Sequence, residues 1–201
     1  CHTNVPRVLR TTAGQGYPEP SPYDTPMFDN KVRFVGDRVA AVAAESLAIA
    51  EEALKKIKVE YEVLKPILDP KDAMKKNAPI IHDEKDAHVI IPIAYDPKKN
   101  LSASVDAVVG NLKKACDEAD VVIEREYESH YAQHCPIEPH ITSGYLDEND
   151  RLTIITSTQV PFHARRITAQ TLQIPIKKIR VIKPRIGGGF GTKQEVLLED
   201  V

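Results

Sequence analysis

Apolar positions in the first third of this chain follow strand spacing, then helix spacing, then strand spacing again. Lys31–Val35 and Val39–Ala44 predict two strands joined across Gly36-Asp37-Arg38 as a hairpin. Leu47, Ala50, Leu54 and Ile57 then recur at helical intervals, and Ser46 stands where an N-cap belongs, so a helix is predicted from Leu47 to about Ile57. Lys58–Leu64 alternates strictly, with Val59, Tyr61 and Val63 on one face of a third strand that Pro66 closes. A short helix is expected over Asp69–Asn77. Strand, strand, helix and strand make a compact α+β unit, and no catalytic constellation lies within it.

The flanking stretches are patterned differently. Residues 7–30, with Gly14-Gln15-Gly16-Tyr17-Pro18 among them, are turn-prone and show little periodicity. Residues 78–100 carry Pro79, Pro92 and Pro97, which suits an extended connector. Beyond it, Val105–Val109 and Val121–Ser129 predict strands around a helix at Leu112–Glu118. Further strands are expected at His140–Leu146 and Leu152–Ser157, then a helix over Phe162–Leu172 with Ile167, Thr171 and Leu172 inward. The division is therefore residues 1–85, a linker at 86–100, and a second, mixed α/β domain at 101–201.

Lys177–Lys183 reads as a strand that Pro184 ends, and it leads into Gly187-Gly188-Gly189-Phe190-Gly191-Thr192-Lys193. Gln194–Asp200 then looks like the opening turns of a helix, and Val201 falls just inside it, which suggests a piece of something larger. Strand, glycine loop and helix start together can present backbone N–H groups to an anion or a cofactor oxygen. The loop has neither P-loop spacing nor the dinucleotide-binding Gly-x-Gly-x-x-Gly spacing, since Phe190 and Gly191 break the latter. A plain bend between strand and helix is the duller alternative, and a bulky Phe190 between two glycines argues against it.

Composition narrows the classes. The 201 residues are 42% hydrophobic and 28% charged with a net charge of −2, which is ordinary globular material with no overall basic footprint for nucleic acid. No apolar run approaches the roughly 20 residues that a membrane span needs. Cys1, Cys116 and Cys135 form no Cys-x-x-Cys pair, which suits a reducing, cytoplasmic setting. His130, His134, Cys135 and His140 make the one metal-like cluster. On a strand, His130 and His134 would stand roughly 13 Å apart; on a helix, their i, i+4 spacing would suit zinc. Their aromatic and β-branched neighbours favour the strand, so no protein-ligated metal is expected. His163 and Arg165-Arg166 read as a solvated or subunit-facing surface, and Lys193 as paired with a neighbour or solvated.

Taken in order, several motifs carry a resemblance. Val32–Ser46 resembles the hammerhead domain of the molybdenum hydroxylases, a family that includes xanthine dehydrogenase, aldehyde oxidase and nicotinate dehydrogenase. Ala119–Glu124 and Ile137-Glu138-Pro139-His140 resemble the opening of that family's cofactor-binding domain. Ser157-Thr158-Gln159-Val160-Pro161, Ile174-Pro175, Lys178–Ile182 and the glycine loop continue the likeness. It implies an α+β chain: a hammerhead-type domain followed by the start of a molybdopterin-binding domain, together the N-terminal part of a large subunit.

The resemblance also implies roles. Gln159 would hydrogen-bond the ligand sphere of the molybdenum, Phe190 would direct its backbone N–H at an oxygen there, and Gly188, Gly189 and Gly191 would let the chain fold around the pterin. Glu138 would be structural. Gln194 stands where purine-hydroxylating members carry a substrate-orienting glutamate, which moves the expectation toward nicotinate, another N-heterocycle or an aldehyde. Glu195, one step on, would point about 100° away on a helix. The implied cofactor is a molybdenum-pterin, with or without an added nucleotide. Iron–sulfur clusters and FAD would sit on other domains or subunits, and water would supply the oxygen. The catalytic base of the family lies beyond residue 201, so this stretch alone is expected to be inactive. The rival reading is a non-catalytic binding or scaffold module that keeps the glycine loop as a turn.

Overall fold

The computed structural model describes residues 1–12 and 16–196. Its ordered centre is a three-stranded mixed sheet in the order β1-β2-β3, formed by β1 (Thr142–Leu146), β2 (Leu152–Thr156) and β3 (Ile179–Ile182). β1 and β2 are antiparallel, with Thr142 opposite Thr156 and Leu146 opposite Leu152. Asp147 closes their turn: its Oδ1 accepts from the N–H of Asn149 and of Arg151, and its Oδ2 from Arg151 Nε. β2 and β3 are parallel, so the chain must cross over between them, and the helix Pro161–Thr171 makes that crossing.

The core follows from this topology. Ile154, Ala169 and Ile179 form one buried cluster, with Leu152, Ile174 and Val181 packed on it. Ala164, Ile167 and Val196 form a second, which Val181 joins to the first. The crossing helix starts at Pro161, whose fixed φ suits a first turn. It ends where Gln173 takes φ +56° and Ile174 N–H donates to Ala169 O. Ile167 and Thr171 are buried as expected, whereas Leu172 is only half-buried.

Among the described residues, three further α-helices precede the sheet. The first in the chain, Leu47–Lys56, has Ser46 Oγ accepting from Ile49 N–H. A one-turn helix at Pro70–Ala73 is capped by Asp69, and a third spans Leu112–Glu118 with Asn111 as cap. We label these α1, α2 and α3 in chain order, and the crossing helix α4. All four fall where the sequence places them, because capping and periodicity are local signals. No described helix is long and apolar enough to cross a membrane.

Five predicted strand segments do not form ladders. Lys31–Val35, Val39–Ala44, Lys58–Leu64, Val105–Val109 and Val121–Ser129 contain no strand among the described residues. A strand is held by hydrogen bonds to a neighbour, and two strands alone are marginal in water. The turn at Gly36 does form, with Asp37 N–H donating to Phe34 O, but the Asp37 carboxylate takes the N–H groups of Arg33 and Arg38. Val35, Val63 and Val109 stay fully exposed or nearly so, with no face to pack on. The helix expected at Gln194–Asp200 is not present at 194–196, which form a bend, and the remainder lies outside the described residues.

The N-terminal stretch is tied down by charge. Glu19 is buried and pairs with Arg166 on α4, accepts a hydrogen bond from Tyr23 Oη at 3.0 Å, and lies 3.3 Å from His163 Nδ1. Burial, then the Glu19 carboxylate, push the Tyr23 phenol up to about 12. Arg166 also covers the Tyr17 ring at 4.7 Å. His163 and Arg166 are therefore structural bonds between the first residues and the sheet layer, which corrects the expectation of a solvated surface. Nor is residues 78–100 a bare connector: Tyr23 and His88 bridge, and Asn100 donates to Ala73 O and Pro79 O.

Arg166→Met leaves the Glu19 carboxylate buried with its principal cation gone, a loss of about 3 kcal/mol. Urea denaturation should show a correspondingly lower midpoint. A midpoint equal to that of the unsubstituted chain would show that the pair holds nothing together.

Candidate functional site

The glycine loop hangs from the end of β3 between two fixed pieces of chain. On one side is the end of β2, where Thr158 and Gln159 follow the last strand residues. On the other is the segment His134–Glu138. Gln159 N–H donates to Lys193 O at 2.7 Å, and Thr158 Oγ1 reaches the same carbonyl at 3.3 Å. Gly191 N–H returns a hydrogen bond to Gln159 Oε1 at 3.1 Å. Loop and strand end are therefore stitched reciprocally through one glutamine.

Close approach explains the loss of side chains. A Cβ on Gly189 would stand 2.4 Å from Gln159 Oε1, and one on Gly187 would stand 2.6 Å from Glu138 Cβ. Neither distance is tolerable, so these two positions admit only glycine without rearrangement. The loop then turns through left-handed backbone at Gly188, Phe190 and Gly191, with φ +96°, +53° and +96°. At Phe190 that conformation is strained for a bulky residue. Its ring lies over Gly188 and remains exposed.

A buried cation secures the far end. Lys193 is fully buried, and its Nζ bonds Glu138 Oε2 at 2.6 Å, while Gly187 N–H donates to that same oxygen at 3.0 Å. Glu138 N–H in turn donates to Gly187 O at 3.2 Å. The hydrogen bond from Lys193, followed by that from Gly187, holds the Glu138 carboxyl below the usual carboxylate range. Glu138 thus clamps both ends of the loop, which gives geometric content to its expected structural role. Lys193 is paired rather than solvated, and it does not line an open cleft.

What remains uncommitted is a set of donors. Among the described residues, the N–H groups of Gly188, Gly189 and Phe190 have no acceptor, and neither does the Gln159 side-chain amide NH2. Successive N–H groups in a turn make a concave anion-accepting surface. Gln159, Gly188, Gly189, Phe190 and Gly191 are neighbours in the fold. Gln194 sits just past the loop with its N–H on Gly191 O. Because 194–196 are a bend, the helical angle assigned to Glu195 does not apply.

Two neighbours were not singled out as site residues in the sequence. Pro136 lies 3.3 Å from where a Gly188 Cβ would be, and His134 Nε2 lies 3.7 Å from the equivalent point of Gly191. The sequence marks His134 only within the histidine cluster and Pro136 not at all, and both meet the loop only through the fold. Among the described residues, no group of three or more His, Cys, Asp or Glu side chains is placed to hold a metal ion. The uncommitted donors of the loop suit hydrogen-bond acceptors such as oxygens.

Because the folded Glu138 carboxyl lies below its ordinary value of 4.5, the unfolded state binds protons first on acidification. The contribution of Glu138 is complete above that ordinary value and is lost as pH falls through the lower folded one. Thermal unfolding across a pH series should show a gap between the unsubstituted chain and Glu138→Gln that is widest near neutrality. The gap should close below about pH 4.5; one that stays constant with pH would refute the clamp.

Comparison with known proteins agrees with this geometry. Residues 94–201 match the molybdopterin cofactor-binding domain, and residues 1–65 match the a/b hammerhead domain of aldehyde oxidase and xanthine dehydrogenase. The chain is 48% identical to a probable hypoxanthine oxidase, XdhD, of Escherichia coli O157:H7, across 100% of the chain and 23% of that protein. It is 33% identical to the nicotinate dehydrogenase large molybdopterin subunit of Eubacterium barkeri, over 86% of the chain and 37% of the relative. The fold superposes on quinoline 2-oxidoreductase from Pseudomonas putida 86 with a TM-score of 0.67 and 27% identity, covering 88% of the chain and 21% of that structure. It thus spans about a quarter to a third of the length of these curated relatives. A matched cofactor-binding domain over more than half the chain, preceded by a matched hammerhead domain, makes this chain a member of the molybdenum hydroxylase family.

Proposed function

We propose that these residues belong to the large subunit of a hydroxylase that oxidises an N-heterocycle or an aldehyde with water as the oxygen source. One observation carries the reading: Gln159 binds the loop through Gly191 and crowds Gly189 too closely for a side chain, while the N–H groups of Gly188, Gly189 and Phe190 and the Gln159 NH2 have no acceptor among the described residues. The names of the relatives support it, since they describe hypoxanthine, nicotinate and quinoline oxidation. Bound there, a molybdenum-pterin would supply the two-electron oxidation that no side chain of this chain can perform.

The residues have positioning work. The Gln159 amide holds Gly191 through Oε1 and keeps its NH2 without an acceptor among the described residues, so one side chain would both shape the loop and donate to a cofactor oxygen. Phe190 N–H offers a second donor beside it, and the strained backbone there fixes its direction. Glu138 and Lys193 keep the loop from relaxing when the site is empty of ligand interactions. Gln194, in place of a carboxylate, offers a neutral amide to substrate, which binds a ring nitrogen or carbonyl and takes no proton. That chemistry fits nicotinate-like rings and neutral lactam forms of purines alike. Electrons would leave through iron–sulfur clusters and FAD on other domains or subunits, and the remainder of the large subunit would supply the base.

The full-length protein, purified from its native host, should contain stoichiometric molybdenum and pterin. Gly189→Ala and Gln159→Ala should each lower pterin content without loss of soluble protein. Gln194→Glu should change the ratio of kcat/KM for purines to that for nicotinate by about tenfold, with pterin content unchanged. A folded protein from molybdenum-replete cells that lacks both metal and pterin would leave the scaffold reading in its place.

A further inference from the structure

Three pieces of chain meet at a cluster of carboxylates that the cofactor site does not use. Asp24 belongs to the stretch matched to the hammerhead domain, and Tyr95 to the stretch matched to the cofactor-binding domain. His82 and Glu84 come from the residues between the two matches. Asp24, His82 and Tyr95 line a small cavity of about 70 Å³, with Asn100 and Ser102 in its polar wall.

The charges of this cluster do not balance. The Arg33 guanidinium pairs with Glu84 and lies 3.0 Å from Asp29. Lys31 is committed to Asp83 at 2.9 Å, and Lys99 to Asp96 at 3.3 Å. Among the described residues, Asp24 has His82 as its one ion-pair partner, with Nδ1 at 3.6 Å from Oδ2. The same Nδ1 lies 3.4 Å from Glu84 Oε2. His82 Nδ1 and Glu84 Oε2 are both buried, and neither has a hydrogen-bond partner among the described residues. The Glu84 side chain is 2% exposed and that of Asp24 14%, so water does little to solvate the excess negative charge. Burial, then the Asp24 and Glu84 carboxylates, hold the Tyr95 phenol above its ordinary value, and its Oη is likewise buried without a partner. These atoms are buried by the described residues themselves, so the arrangement needs no further surface to complete it.

We propose that His82 is a proton-operated latch, which as an imidazolium binds Asp24 and Glu84 together and closes the junction between the two matched domains. A neutral ring offers Nδ1 either as a donor or as a lone pair turned toward two carboxylates. The imidazolium makes Nδ1 a donor and adds the positive charge that the cluster lacks. The latched state holds the proton. It therefore strengthens as pH falls, and weakens as pH rises, across the range of about 5 to 8 in which histidine changes charge. The backbone defines what the latch fastens. Tyr23 bridges His88, Thr25 bridges Arg10, and Arg10 Nη1 donates to Val196 O just beyond the glycine loop. The inference depends neither on the cofactor nor on the reaction proposed above.

Backbone hydrogen exchange, read by mass spectrometry on the full-length protein from its native host, tests this at the latch itself. The reporters are the N–H groups of Tyr23, Thr25 and Ile81, which donate to His88 O, Arg10 O and Asn100 Oδ1. After correction for intrinsic exchange, their protection should fall about threefold or more between about pH 6 and about pH 8, while that of α4 holds constant. His82→Asn keeps a neutral donor in place of Nδ1 and should make the protection independent of pH. Asp24→Asn leaves His82 in place and should reduce the dependence. Protection that does not change with pH in the unsubstituted protein would overturn the latch, and so would an unchanged dependence in either variant. A parallel loss in α4 would overturn it as well, because it would mark a global effect rather than a local one.

Discussion

A buried lysine and a half-exposed glutamate organise the glycine-loop end of this molecule. Lys193 has no solvent to turn to, so its ammonium must be met by a carboxylate, and Glu138 meets it. Glu138 also receives Gly187 N–H, and the Lys193 carbonyl receives Gln159 N–H. One ion pair thereby fixes the glycine loop at both ends and holds it against the end of β2. Without it the loop would be a run of glycines with large conformational entropy and no preferred shape. The free donors of Gly188, Gly189 and Phe190 are directed because the rest of the loop is tied.

Rigidity at the loop depends on a second layer of constraint. β2, α4 and β3 form a crossover unit whose hydrophobic face is completed by Val196, just beyond the loop. Arg10 Nη1 donates to Val196 O at 2.7 Å, and Glu19 binds Arg166, so the N-terminal stretch fastens both the loop exit and the helix behind it. The residues assigned to the hammerhead domain are therefore not remote from the cofactor-binding layer. They supply buried polar partners to it, and a charged pair of this kind is expensive to break on one side.

Apolar residues left exposed are the complement of this picture. Val35, Val63, Val105 and Val109 sit in segments with strand-like sequence and no strand neighbour among the described residues. Their patterning is that of half-buried strands, and what they lack is a partner surface. The chain spans about a quarter of the length of the probable hypoxanthine oxidase that it matches.

Helices and their caps were legible from the sequence, because Ser46, Asp69 and Asn111 act within three residues of themselves. The family was legible too, since strong motifs in a fixed order carry information that single spacings do not. Strand pairing was not, because a ladder depends on residues far away in the chain, and strand-like alternation at Lys58–Leu64 says nothing of a partner. Nor could the sequence show that Lys193 is buried, that Glu19 holds α4, or that His134 and Pro136 flank the loop. Those facts arise from contacts across 35 to 147 residues. The sequence by itself determined the family and where the glycine loop stands; the tertiary structure alone decided which of its donors stay without an acceptor among the described residues, because only packing shows which partners are already taken.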